Sequence, residues 1–218
     1  MNNSTKRRIL HFFFPNRCPV CGAVIYANDS FCPDCLQKLN KADEDFTISG
    51  AADFTTVFAY DEETKPAVVL LKNGILGNSA YALGKALGEK LLQNGIAEKI
   101  DYIVPVPMLK ADVWKRGYNQ AELICTEISR VIGKPVRTDI LEKSRSTAQQ
   151  KTLNKAEREQ NLKGAFSVTS PDKVAGKSIL LADDVCTTGS TLAELVKLLN
   201  SAGASDLHCA ACCKTTKK

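Results

Sequence analysis

The sequence predicts an α/β domain, a mostly parallel sheet flanked by helices, with a small cysteine-rich module ahead of it. Three observations predict it. Short apolar runs alternate with segments of helical spacing, the pattern of strand–helix–strand units and a parallel sheet. One of these runs, Ile179–Ala182, leads into two adjacent carboxylates and a hydroxyl-rich glycine turn, where sheets of this kind place ligands. Four cysteines near the start are spaced C-x2-C-x10-C-x2-C.

Residues 1–50 read as the cysteine module with its linker, and 51–218 as the main domain. Cys18, Cys21, Cys32 and Cys35 can fold as two knuckles that together offer four thiolates, and a set with no open position is structural. A module of about 40 residues is too small to stand on apolar burial alone, so bound Zn2+ would supply its stability. An iron–sulfur centre and buried unliganded thiols are the alternatives; the two C-x2-C halves favour zinc. The remaining cysteines, Cys125, Cys186, Cys209, Cys212 and Cys213, read as small buried hydrophobes. His208 beside the last three could make a second metal site, but an ordinary final strand explains them better.

Composition excludes several classes. Hydrophobic content of 44% and charge of 24% suit a globular protein rather than a disordered one. No apolar run approaches the ~20 residues of a membrane span. The segment K-R-R-I-L-H-F-F-F-P imitates a signal peptide, yet its apolar part is only Ile9–Phe14, holds His11 and meets Cys18 without a cleavage site. With nine cysteines, an odd number, reduced thiols and a cytoplasmic location are expected.

In the main domain, the polar stretch Asn40–Gly50 reads as a linker or exposed hairpin. Strands are expected at Phe54–Tyr60, Tyr102–Val106, Pro135–Leu141, Ile179–Ala182 and near Leu207. Helices are expected at Lys65–Lys72, Ser79–Gln93, Asn119–Ile132 and from Leu192 to Leu199. Arg145–Lys163, polar and weakly periodic, reads as a long excursion of the kind that covers active sites.

The turn after Ile179–Ala182 carries the chemistry. It lies at the carboxyl end of a strand and the amino end of a helix, where free amides and the helix dipole attract an anion. Gly189 permits close backbone approach, while Thr187, Thr188, Ser190 and Thr191 add hydroxyl donors, so a phosphate fits. Asp183 and Asp184, expected just past the strand, would accept hydrogen bonds from a ribose diol.

D-D-V-C-T-T-G-S-T resembles the 5-phosphoribosyl-1-pyrophosphate (PRPP) motif of type I phosphoribosyltransferases. The whole chain resembles the ComF family, which joins a four-cysteine zinc module to such a domain. The resemblance rests on C-P-V-C-G with C-P-D-C, P-V-P-M, R-G-Y-N-Q-A-E, R-S-T-A-Q-Q-K-T-L and R-E-Q-N-L-K-G-A-F in that order. It implies a type I phosphoribosyltransferase fold and Mg2+-assisted transfer of phosphoribosyl from PRPP, with loss of pyrophosphate, to an acceptor it does not name. By the same resemblance Asp183, Asp184 and Arg116 are catalytic, and Val185, Cys186, Thr187, Thr188, Gly189, Ser190 and Thr191 bind PRPP with Pro107, Lys110, Arg145 and Arg158. Arg145–Lys163 corresponds to the family's hood. Two departures, Asp112 at a loop position often basic and Asn73 after Lys72 where an aromatic is common, predict weakened pyrophosphate affinity.

A second class stays open. Net charge is +5, and in residues 1–40 Lys6, Arg7, Arg8, Arg17 and Lys38 outnumber Asp29 and Asp34, so the module could touch single-stranded DNA or competence-machinery proteins as a non-catalytic adaptor that retains PRPP binding as a sensor. Against it, aromatic residues are not interleaved with basic ones along the sequence. The oligomeric state is left open.

Overall fold

The computed structural model describes residues 3–43, 45–73, 78–145, 162 and 164–215. Its main sheet holds β1 (Asp53–Ala59), β2 (Tyr102–Pro105), β5 (Ser178–Cys186) and β6 (Asp206–Lys214). They are ordered β1-β6-β5-β2 and paired in parallel throughout. The central strands are buried on both faces, which explains why they read as continuous apolar runs.

Each face of the sheet has its own core. On one lie α3 (Lys65–Lys72), α4 (Ser79–Gln93) and α6 (Gln120–Ile132), whose Leu71, Leu87 and Ile128 are fully buried with Leu180 and Ala210 of the sheet. On the other lie α7 (Ser190–Ser201) and the antiparallel pair β3 (Leu141–Lys143) and β4 (Phe166–Val168), burying Leu195, Leu199 and Phe166 against Leu181 and Ala211. Helices on both faces satisfy both sides of a parallel sheet.

α4 and α6 touch almost backbone to backbone. A Cβ on Gly84 would lie 2.7 Å from Glu127 Cβ and 2.8 Å from the Ile124 carbonyl, so no side chain fits there. Gly84→Ala is expected to spread these helices and lower stability by about 1–3 kcal/mol, read as a lower urea midpoint at unchanged slope.

The cysteine module packs into the first of these cores. α1 (Asn3–Phe13) and α2 (Pro33–Lys38) flank it, and Cys18, Ile25, Phe31 and Cys35 are buried in one cluster with Phe58, Leu71 and Leu87. Phe31 meets Phe58 edge-on at 5.7 Å. The linker is docked too: Lys41 bridges Phe58, and the Ala42 amide donates to the Val57 carbonyl at 3.1 Å.

Three expectations need correction. Pro135–Leu141 is not one strand; Val136 alone bridges Ile103, and β3 starts at Leu141. The polar Arg137, Thr138 and Asp139 between them cannot enter a buried sheet, and Asp139 instead pairs with Arg137 and Lys173 at 2.8 Å. The basic stretch after Pro107, read as loop, contains α5 (Lys110–Arg116), closed by Gly117 in the left-handed conformation. Asp183 and Asp184 lie inside β5, because Asp183 and Val185 still pair with Ala211 and Cys213 of β6.

Candidate functional site

Strand β5 carries its acidic pair into a cleft of about 320 Å3 at the carboxyl edge of the sheet, lined also by Lys72, Pro107, Arg116, Asn119 and Lys143. These residues come from α3, the β2–α5 connection, α5, the cap of α6 and β3, so the cleft exists only once the sheet is assembled.

The electrostatics divide the two carboxylates. Asp184, 8% exposed, forms an ion pair with Lys72 at 3.0 Å and accepts from the Val185 amide at 2.7 Å. Burial works against the Lys72 charge, but the adjoining Asp184 outweighs it and raises its pKa. Burial, and then the negative charge of Asp184, push Asp183 up to about 8, an effect Lys72 only partly offsets. Two neighbouring carboxylates in one cleft cannot both ionise freely, so the environment favours the protonated form of Asp183. A folded pKa above the unfolded ~3.9 means a contribution to stability that is complete below about pH 4 and lost as pH climbs through 8. Asp183→Asn is expected to flatten the stability profile across that window, read by urea unfolding at successive pH values.

Supporting bonds hold the walls. The Tyr118 hydroxyl donates to the Leu71 carbonyl at 2.5 Å, which fixes the end of α3 that bears Lys72. Asn119 caps α6 by accepting from the Ala121 amide at 3.1 Å and donates to the Val106 carbonyl at 3.0 Å, tying the Pro107 loop to that helix. Arg116 is half-buried with a guanidinium nitrogen 4.0 Å from Met108 Sδ. Burial lowers the Lys143 pKa, against the pull of Asp112 and Asp183.

Beyond the cleft the chain leaves β5 through Val185 and Cys186. Val185 is partly buried, and Cys186 is buried in the second core with its thiol pushed up to about 12 by burial, so its side chain serves packing. Thr187 and Thr188 are exposed, Gly189 has φ +77° at the head of α7, and Thr188 and Ser190 hydroxyls lie 2.9 Å apart. The first amides of α7 have no acceptor within the helix, and Gly189 ahead of them is buried while Thr187 and Thr188 are exposed.

Other residues named from the sequence sit elsewhere. Lys110 pairs with Glu142 at 3.0 Å and lines a neighbouring hollow of about 410 Å3 that shares Pro107 with the cleft. Arg145 is exposed just after β3, and Arg158 lies outside the described residues. Lys72 and Lys143 went unnoticed in the sequence as site residues; one basic residue at the end of an amphipathic helix or short strand carries no local mark of its distant partner.

In the module, the four cysteine sulfurs lie within 4.8 Å of one another, with Cys21 and Cys32 at 3.7 Å. A tetrahedron with metal–sulfur bonds of ~2.3 Å has edges of about 3.8 Å, so the set fits zinc. Burial resists ionisation of Cys18, but the amides of Cys32, Cys21 and Val20 bring it down to about 7, while burial and the neighbouring thiols raise Cys35. Among the described residues no other group of histidines, cysteines or carboxylates gathers three ligand atoms, and His208 instead meets Asp53 at 2.9 Å. No helix of the described residues is long and apolar enough to cross a membrane.

A parallel sheet whose strand β5 carries an acidic pair and runs on into a glycine–hydroxyl turn ahead of a helix defines a class, and the chain belongs to the phosphoribosyl transferase domain family, whose model matches residues 77–218. Residues 9–46 match the double zinc ribbon domain, so the module is a zinc-binding one. Among relatives, the DNA utilization protein YhgH of Escherichia coli strain K12 is 32% identical over 201 residues, covering 91% of this chain and 84% of that protein. Competence protein F of Haemophilus influenzae is 41% identical over 107 residues, covering 49% of this chain and 47% of that protein.

Proposed function

We propose that the protein binds PRPP with Mg2+ and transfers its phosphoribosyl group to an acceptor. The observation that carries this is the Asp183–Asp184 pair, the first pushed toward its neutral form by burial and its neighbour and the second ion-paired to Lys72 at 3.0 Å, followed in the chain by the glycine turn 187–191 at the head of α7. The amides and hydroxyls of the turn take the 5-phosphate. Asp184 accepts hydrogen bonds from the ribose hydroxyls, and protonated Asp183 donates one to an adjacent oxygen. Arg116 and Lys143 face the leaving pyrophosphate and stabilise the charge that gathers on it as the bond to the anomeric carbon breaks. Mg2+, a hard cation suited to carboxylate and phosphate oxygens, would neutralise pyrophosphate when bound. Nine cysteines, none of them in a disulfide, suit a reducing, cytoplasmic compartment.

Thermal or urea unfolding with Mg2+ and PRPP tests the binding. PRPP at ~100 times its dissociation constant should add about 2.7 kcal/mol. A site for it is refuted if PRPP adds nothing, or if the same gain survives Asp183→Asn with Asp184→Asn. Release of pyrophosphate across a panel of nucleobases, amines and water then identifies the acceptor.

A second reading has its own support. On the module, Phe12, Phe13, Phe14 and Tyr26 are 82%, 69%, 76% and 82% exposed, and a hollow beside them is lined by Arg8, His11 and Tyr26. The fold thus brings Tyr26 beside Arg8 and His11 of α1, near one end of its exposed phenylalanines, as a stacking surface for single-stranded DNA needs. Under this reading the protein is an adaptor in DNA uptake, in keeping with the names of its relatives. Salt-dependent binding of a labelled oligonucleotide, lost in Phe12→Ala with Tyr26→Ala, supports it; binding indifferent to both removes it.

A further inference from the structure

The segment that joins the zinc module to β1 does more than span the distance. It leaves α2 at Leu39, pairs with the end of β1 through Lys41 and Ala42, and then crosses behind the phosphate turn. There Ile48 is buried in the same core as Cys186 and Leu192, the residues on either side of the turn. Phe46 lies edge-on to Phe54 at 5.3 Å and under the Lys214 ammonium at 4.1 Å. Lys214, itself only 8% exposed, is the register partner of Cys186, and the next residue ties the turn directly: the Thr215 hydroxyl donates to the Thr187 carbonyl at 3.1 Å. The contact with Gly189 is closer still. A Cβ at that position would lie 2.6 Å from Ile48 Cδ1 and 3.0 Å from Phe46 Cζ.

We propose that Phe46 and Ile48 are positioning residues for the phosphate turn, a strap that holds Gly189 and the first amides of α7 in their anion-binding arrangement before ligand arrives. The inference rests on the reading of the turn given under Proposed function. Its physical basis is pre-organisation. Amides that converge on an oxyanion lose affinity when the backbone carrying them must first be ordered, and a glycine turn is the part of a chain with most to order. The strap faces the turn from the protein side, so it needs no contact with the ligand. Because its other end is pinned beside the cysteine knuckles, the zinc module and the phosphate turn are parts of one continuous packed unit.

The test uses the full chain with zinc bound and compares Phe46→Ala with Ile48→Ala combined, the conservative pair Phe46→Leu with Ile48→Val, and Leu91→Ala as a truncation of the opposite core. Amide hydrogen exchange is followed in the peptide spanning residues 186–192, together with the dissociation constant for ribose 5-phosphate and, where turnover is present, KM and kcat. The expected result is exchange in that peptide faster by about tenfold in the alanine pair, beyond what Leu91→Ala causes, and a similar weakening of ribose 5-phosphate. Zinc content should stay at the parent's value, KM should rise more than kcat falls, and the conservative pair should recover most of the loss. Exchange that rises no more than in Leu91→Ala overturns the proposal, and so does faster exchange with unchanged affinity. A parent that holds no ribose 5-phosphate retires the reading of the turn as a phosphate site, and the exchange comparison still decides whether the strap orders it.

Discussion

Stripping zinc from the four-cysteine module should unfold the module and pull the main domain down with it. Cys18 and Cys35 are 1% and 8% exposed and share a buried cluster with Phe58 of β1 and Leu71 of α3, so the thiolates that hold the metal are part of the wall of the main core. Structural zinc contributes on the order of 10–16 kcal/mol in small zinc modules, as much as or more than the whole net stability of a typical domain, ~5–15 kcal/mol. The metal therefore dominates, and packing alone cannot replace it. Chelation should release one zinc per chain, with a urea midpoint that drops for signals from both parts. Cys35→Ser should behave like chelation, whereas Cys213→Ala, a buried thiol far from the knuckles in sequence, should cost only its packing. Metal-free protein with an unchanged midpoint would show that the module is an appendage. Acid should promote the release, since three or more thiols must lose protons to bind and regain them as pH falls.

Asp184→Asn should separate function from stability. Asparagine keeps the volume and the carbonyl that accepts from the Val185 amide at 2.7 Å, while the charge that faces Lys72 is lost. The Lys72 side chain is 41% exposed, so water takes over its solvation, and the expected stability change is below about 1 kcal/mol. On the proposed function, catalysis cannot make the same substitution, because a neutral amide would neither balance the Lys72 charge nor accept ribose hydroxyls as strongly as a carboxylate. PRPP-dependent pyrophosphate release should fall at least ~100-fold in kcat/KM, equivalent to about 2.7 kcal/mol of transition-state stabilisation. A fall in kcat/KM that merely tracks a large loss of folded protein would assign Asp184 to structure instead.

Sequence reading served best where one segment contains its own reason. α4 and α6 were legible to within a residue because apolar spacing marks both, and α6 adds its own Asn119 cap and Gly133 stop. The 187–191 turn was legible because glycine and hydroxyls mark it locally. Strand ends were less so. Polar Asp183 and Asp184 suggested that β5 had finished, yet the backbone ladder with β6 continues to Cys186, since pairing depends on the neighbouring strand rather than on the side chains of its own. The α5 helix escaped because its sequence is short and charged and buries no side chain fully, leaving no apolar face to betray it.

Local chemistry along the chain was enough to determine the α/β class, the four-sulfur zinc set and the position of an acidic pair ahead of a glycine–hydroxyl turn, since each is written in spacings of a few residues. Only the tertiary structure decided that Lys72 meets Asp184, that Tyr26 shares a hollow with Arg8 and His11, and that Phe46 and Ile48 lie against Gly189. The reason is physical: a charge or a ring has no preferred partner until burial removes water and the folded backbone brings a distant group within a few ångströms.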